Sequence, residues 1–154
     1  EGTDRAQALM AKPEGWRLDL AAYPVILECG TRFQDMDING HHNNVAFASL
    51  FENARVQLHR NARPWGARPE NERTMVASVE INYLREGNFP APVTIGSGIG
   101  RVGNSSWVVV QAMFQNGHCI ATCDSVIVCR TDNEAKPLRA ELVAELEEML
   151  AKAV

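Results

Sequence analysis

The sequence predicts an α+β domain in which an antiparallel sheet packs against one long helix and a second helix closes the chain. Three observations carry this. Phe47, Leu50, Phe51, Ala54 and Leu58 recur at helical spacing and form one apolar stripe on a segment from about residue 44 to 61. Four β-like runs then follow, between about residues 74 and 130, separated by Gly, Pro and Asn-Gly turns. Finally Leu138, Leu142, Leu146 and Leu150 repeat at i, i+4 spacing, with Glu141 early and Lys152 late, as the helix dipole prefers.

In chain order, residues 1–22 read as an N-terminal arm, with Pro13, Gly15 and Trp16 in its second half. Tyr23 to Phe33 carries Val25, Ile26, Leu27 and Cys29 and reads as the first strand. Either Asn43 or Asn44 suits the cap of the long helix, because an Asn side chain accepts the orphan N–H groups of the first turn. Ala62 to Asn71, with Pro64, Gly66 and Pro69, is a loop.

From Thr74 to Leu84, Ala77, Val79, Ile81 and Tyr83 form the apolar face of a strand. Arg85 to Pro92 is a turn, and Val93 to Val102 a strand whose Gly96, Gly98 and Gly100 share a face, implying close backbone approach or bending. Trp107 to Phe114 reads as a strand buried on both faces, and Asn116-Gly117 as a hairpin turn into His118 to Arg130. The pattern is one strand, a long helix, four strands in a meander and a terminal helix in which Pro137 occupies the first turn. The expected organisation is an arm over 1–22, a domain over 23–136, and a helix over 137–154 packed on the same domain.

At 154 residues, 45% hydrophobic and 22% charged, the chain is of single-domain size with ordinary globular composition. A net charge of −4 leaves no basic footprint for nucleic acid. No apolar run is long enough to span a bilayer. Cys119, Cys123 and Cys129 share parity in one run, so they are expected on one face of a strand. With Cys29 they match no zinc spacing and read as reduced thiols, which suits the cytoplasm. The start at Glu1 without Met is compatible with a removed signal peptide.

Chemistry concentrates between Thr31 and Arg60. Asp35, Asp37, Asn39, Gly40, His41 and His42 crowd the entry to the long helix, where free N–H groups and the positive dipole end favour an anion. Arg32, Asp35, Asp37, Gly40, His41, Asn43, Asn44, Phe47, Phe51, Glu52, Ala54 and Arg55 resemble the hotdog-fold thioesterase signature, roughly R-x-x-D-x-D-x-x-G-H-x-N-N, an aromatic, then F-E-x-A-R. This is the 4-hydroxybenzoyl-CoA thioesterase-like and acyl-carrier-protein thioesterase-like group. His42 stands where Val is common and Phe47 where Tyr is common. Asn39 gives a D-x-N-x-H pattern similar to the acyl-carrier branch.

The resemblance implies a hotdog fold: a curved antiparallel sheet wrapped around the long helix, which also places the first strand in the sheet. It implies hydrolysis of an acyl-CoA or acyl-carrier-protein thioester. Asp37 is then the nucleophile or general base, with Asn39, His41 and the N–H near Asn44 as catalytic partners. Gly40 and Asn43, with the turn Gly103, Asn104, Ser105 and Ser106, are then the substrate-binding residues, the turn lying near the pantetheine arm. Plainer roles stand beside these: Asp37 as a turn residue, Asn39 and His41 as loop-holding groups, and Gly103–Ser106 as an ordinary hairpin turn.

Asp35 is expected to pair with Arg32, and Glu52 with Arg55 in a solvated or interface salt bridge. Arg85 and Arg101 are candidates for the phosphates of CoA by charge type. A metal site from His41, His42 and Asp37 fails on spacing, so no metal is expected. No cofactor is expected beyond the CoA or pantetheine that belongs to the substrate.

The alternatives are a hotdog hydratase or dehydratase and a non-catalytic acyl-thioester binder. The hydratase pattern resembles D-x-N-P-x-H; Gly40 replaces its Pro, and His41 lies two residues after Asn39. An open sheet, the Trp107–Val110 run and the poorly covered glycine face together predict a homodimer, with a tetramer as a further pairing; the resemblance implies the same dimer, with the active sites in its seam.

Overall fold

The computed structural model describes residues 12–61 and 68–152. The beginning of the expected arm and most of the loop around Pro64 and Gly66 lie outside the described residues.

Helix α1 (Asn44–Arg60) starts at Asn43, whose side-chain oxygen accepts the Ala46 N–H at 2.8 Å. Its stripe of Phe47, Phe51, Ala54 and Leu58 is buried. Six strands surround it: β1 (Val25–Cys29), β2 (Glu72–Tyr83), β3 (Val93–Val102), β4 (Ser106–Gln115), β5 (His118–Thr131) and the short β6 (Glu134–Ala135). All pair antiparallel, in the order β1-β3-β4-β5-β2, with β6 on the end of β5. The sheet curls as a half-barrel around α1, which is the hotdog arrangement.

The meander covers β3 to β5 only. β2 does not neighbour β3; it crosses to β5 and forms the far edge. Alternation tells which residues face inward, not which strand lies alongside. Within β2, a bulge between Val76 and Ser78 breaks the expected apolar face. Ile81 packs on the α1 side, whereas Val79 is 46% exposed. At the β4–β5 turn, Asn116 and Gly117 both take positive φ, 51° and 78°, as a tight hairpin requires.

The two faces of β3 are covered differently. Val93 and Ile95 meet Phe47, Phe51 and Ala54 of α1. On the opposite face, a Cβ on Gly96 would lie 2.7 Å from the Tyr23 ring, and one on Gly98 would lie 2.8 Å from Pro24 Cδ. The predicted close approach therefore comes from this chain's own N-terminal segment, joined by Ala151 from the other end. Tyr23 is buried, its hydroxyl donating to Arg17 O at 2.8 Å, while Arg17 pairs with Asp124 at 2.7 Å.

Helix α2 (Ala140–Glu148) buries Leu142 and Leu146 against Leu58, Ile99 and Trp107. It starts later than predicted, because the Leu138 N–H is taken by Asn104 O at 2.8 Å and Arg139 is extended at the N-cap; Pro137 thus lies outside it. It also ends before Lys152, whose N–H donates to Ala22 O at 2.8 Å.

All four cysteines are free. They do not share one face: the register shift between Met113 and Phe114 turns Cys119 toward Tyr23 and Trp16, away from Cys123 on the α1 side.

Candidate active site

The segment entering α1 sorts its two acids into different environments. Phe33–Asp35 forms a single 3-10 turn, after which Met36 is extended and pairs with His42 as an isolated bridge. The turn rotates Asp35 inward, where it is 5% exposed. Its carboxylate accepts from Arg32 Nη2 at 2.7 Å and from the Arg32 backbone N–H at 3.1 Å. These bonds from Arg32 hold the Asp35 carboxyl below its ordinary range, against the opposing effect of burial.

Asp37 is exposed and meets no cation among the described residues. Its Oδ1 accepts the N–H of Asn39 at 2.8 Å and that of His41 at 3.4 Å. The backbone closes around it: Gly40 N–H donates to Asp37 O at 3.1 Å and Asp37 N–H to His41 O at 2.8 Å. Gly40 takes φ of +79°, a conformation that its lack of a Cβ permits. This Asx-type turn fixes the carboxylate through one oxygen. Oδ2 accepts no hydrogen bond from the described residues and is available for chemistry.

The α1 terminus supplies the complement. Asn43 donates its own N–H to Asp35 O at 2.8 Å, and its side chain caps Ala46. The N–H groups of Asn44 and Val45 meet no acceptor among the described residues. They are first-turn donors at the positive end of the helix dipole, suited to a developing oxyanion.

A second loop frames the site, and sequence reasoning missed it. His42 N–H donates to Gly87 O at 2.7 Å, and Phe89 N–H reaches Met36 Sδ at 3.4 Å. Gln115 holds the loop, its amide nitrogen donating to Asn88 O at 2.8 Å and Ala91 O at 2.9 Å. The available signal was Gln115, the second Gln of a largely apolar strand, at its end. The His41 ring faces this loop, with Nε2 3.3 Å from Glu86 Oε1 and Nδ1 3.4 Å from Asn88 Oδ1. Only its backbone touches Asp37. The Asn39 side chain has no partner among the described residues, and its N–H orients Asp37.

His42, not His41, stands three residues after Asn39, the spacing of the hydratase pattern. Its ring is buried against Phe47, 6.3 Å between centroids, and over Gly87, where a Cβ would lie 2.7 Å from His42 Cδ2. It packs as a core group.

Gly103, Asn104, Ser105 and Ser106 are not brought to Asp37 within one chain. Asn104 O holds Leu138, Ser105 O holds Cys129, and the next residue, Trp107, donates to His59 at 3.0 Å near the C-terminal end of α1. A helix of 17 residues separates its ends by about 25 Å. The expected Glu52–Arg55 pair does not form either. Arg55 is 6% exposed and turns under the helix to donate to Ser125 Oγ at 3.1 Å, because β5 offers a hydroxyl there. Among the described residues no group of three or more His, Cys, Asp or Glu could hold a metal ion.

A curled antiparallel sheet around a central helix, with a free carboxylate at that helix's start, defines a hotdog protein of the thioesterase kind. Residues 31–154 match the model of the thioesterase-like superfamily, and the chain belongs to it. Among solved structures it is similar to a Pseudomonas aeruginosa protein at 26% identity, with 89% of this chain and 98% of that one covered and a TM-score of 0.75. A thioesterase from Thermus thermophilus, solved with coenzyme A and zinc, is 26% identical, with 86% of this chain and 98% of that one covered and a TM-score of 0.75. A probable thioesterase from Escherichia coli shares the fold at 24% identity, 81% and 98% coverage and a TM-score of 0.73. No curated protein sequence matches the chain. Family membership supports a thioester hydrolase. No described helix is long and apolar enough to cross a membrane.

Proposed function

We propose that the protein hydrolyses an acyl-CoA or acyl-carrier-protein thioester, with Asp37 as its catalytic carboxylate. The observation that carries this is an immobilised carboxylate with one oxygen uncommitted, on the turn that leads into a helix whose Asn44 N–H has no acceptor among the described residues. The thioester carbonyl oxygen accepts from the Asn44 N–H. Asp37 Oδ2 either takes a proton from a water that attacks the carbonyl carbon or attacks it directly, forming an anhydride that water then opens. The carbon–sulfur bond breaks, the sulfur leaves as a thiolate that is protonated to the thiol, and the acid is released. Asn39 and His41 hold the turn through their backbone, while Gly40 and Asn43 shape the approach to the helix. The solved relative with coenzyme A supports a CoA-type thiol.

The surroundings favour a site completed by a second copy. Phe33, Ile38 and Val45 are 77%, 102% and 70% exposed around Asp37, an apolar rim suited to an acyl chain or a partner surface. The free edge β2 exposes Met75, Val76, Val79 and Tyr83. Two copies joined along β2 would cover this edge and bring Ser78–Asn82, or the Gly103–Ser106 turn, of one chain toward Asp37 of the other.

The test is thiol release from a panel of acyl-CoA thioesters by wild type and Asp37→Asn. A loss of about a hundredfold or more in kcat is expected. Wild-type turnover in the folded variant would remove Asp37 from its role. Hydration of an enoyl-CoA without thiol release would move the protein to the hydratases.

A further inference from the structure

A recess of about 230 Å³ opens between α1 and the free edge β2, lined by Arg55, His59, Thr74 and Ile127, with the exposed Val56 and Val76 beside them. It holds a charge that this chain does not balance. Arg55 is buried, yet its side chain has one hydrogen bond among the described residues, to a neutral group, the Ser125 hydroxyl, at 3.1 Å. A guanidinium carries five N–H donors, so most of this fork is uncommitted. Burying a cation without a counter-charge is costly, and folded proteins pair it.

The other acids near this part of the fold are engaged elsewhere. Glu72 holds Lys136 and Arg139, and Asp124, which neighbours Ser125 in β5, holds Arg17. Residues 62–67, beyond α1, contain no Asp or Glu. Glu52 also lines the recess, one turn before Arg55, and is exposed. It meets no cation among the described residues, because Arg55 turns under the helix toward Ser125. One helix face thus carries an unpaired buried cation and an unpaired exposed anion side by side.

We propose that this recess is a carboxylate site completed by a second copy of the chain: Glu52 of each copy enters the recess of the other and pairs with Arg55 there. The inference rests on the reading of two copies joined along β2 and names the ionic contact that fixes their register. Ser125 stands opposite Val79, near the middle of β2, while Glu52 and Arg55 flank the middle of α1. A twofold axis between two antiparallel β2 edges passes through the middle of that strand, and so runs close to the middle of α1. It sets Glu52 of each chain facing Arg55 of the other, the reciprocity that a self-complementary contact requires. The fork suits a carboxylate in bidentate geometry. Met75, Val76 and Val79 continue the same exposed surface, so contact would exclude water around the pair and strengthen it. At about 230 Å³ the recess is smaller than an ordinary ligand pocket of about 300–1,000 Å³, which favours one inserted side chain.

The experiment reverses one charge at a time and then mixes the products. In a Glu52→Arg dimer two cations face each other twice, and in an Arg55→Glu dimer two anions do. Each variant alone should raise the dimer Kd on the order of a hundredfold or more, read by light scattering and sedimentation. Mixed one to one, the two variants form heterodimers in which both pairs are opposite in charge, and the dimer mass should return. A pair made within one chain gives no such rescue. If Arg55→Glu does not fold by circular dichroism, Glu52→Gln and Arg55→Gln replace it in a double-mutant cycle, and the double variant should lose no more dimer affinity than the worse single one. Three results would overturn the pair and leave a wild-type dimer standing: Glu52→Arg dimerising like wild type, a mixture of folded variants that stays monomeric, or additive losses in the cycle. A wild-type chain that is monomeric at micromolar concentration would overturn the pair and the two-copy reading together.

Discussion

Asp35 and Asp37 are two residues apart, and replacing each by Asn should produce opposite phenotypes. Asp35→Asn removes a carboxylate that is 5% exposed and accepts from the Arg32 guanidinium at 2.7 Å and the Arg32 backbone at 3.1 Å. Breaking a fully buried ion pair costs about 3–5 kcal/mol. Here the Arg32 side chain is 61% exposed and can return to water, and an Asn oxygen can keep the backbone bond. The cost then falls to about 2 kcal/mol, the range for a lost charged hydrogen bond. In a chain of this length that lowers Tm by roughly 4–8 °C. The pH dependence follows from the direction of the shift. A carboxyl held below its unfolded value stabilises the fold above that value, and the contribution disappears as pH falls through the folded value. The gap in Tm between wild type and Asp35→Asn should therefore be full near neutrality and close below about pH 4. Thermal melts over that range, with thiol-release assays on the folded variant, make the measurement. A variant that keeps wild-type Tm but loses turnover would show that Asp35 carries the chemistry.

His59 should make the protein acid-sensitive. It accepts from Trp107 at 3.0 Å, and burial holds its pKa at about 4. A base held below its unfolded value of about 6.5 stabilises the fold above that value and loses this as pH falls toward the folded one. On the order of 3 kcal/mol should vanish between those limits, and urea melts of His59→Gln should show a flatter profile. Gly96→Ala should cost about 1–3 kcal/mol by overpacking, because the new methyl meets the buried Tyr23 ring at 2.7 Å; an unchanged Tm would show that the segment before β1 yields freely. Val79→Lys, on the exposed edge of β2, should turn a dimer into a monomer by light scattering and lower turnover with it. A wild-type protein fully active as a monomer would remove the shared site.

The strands and helices were legible because their signals are local. Val93–Val102 carries its own boundaries, and Asn116-Gly117 admits one tight turn. Neighbours in the sheet were not legible: β2 has the same alternation whether it lies beside β3 or β5, and only the closed pairing from Glu72–Thr131 to Tyr83–Ala121 decides. A bulge also escapes alternation, which is why Val79 and Cys119 end on unexpected faces. The glycine face of β3 was legible as a close contact but not in its partner. Tyr23, Pro24 and Ala151 fill it from the same chain, and Trp107 is sealed by His59 and α2. The case for a second copy therefore moves from those central strands to β2, where Met75, Val76 and Val79 stay exposed.

At the candidate site the sequence exposed the residue types but not their division of labour. Read as an extended strand, Asp35 and Asp37 share parity and should face the same way. The 3-10 turn at Phe33–Asp35 removes that equivalence. It delivers Asp35 inward to a cation and leaves Asp37 outward on a turn made of its own backbone. A carboxylate paired with Arg32 is held in its ionised form by a permanent partner and is a weaker base. One oriented by N–H groups through a single oxygen keeps its other oxygen for a water or a carbonyl carbon. The same short turn lets Asp35 O accept the Asn43 N–H, which sets the helix start, and the Asn44 N–H that follows meets no acceptor among the described residues. Structural and chemical roles are thus separated by one local rotation. The Arg32–Asp35 pair is the support on which the geometry of Asp37 depends, so loosening it should weaken turnover only as far as it loosens the turn.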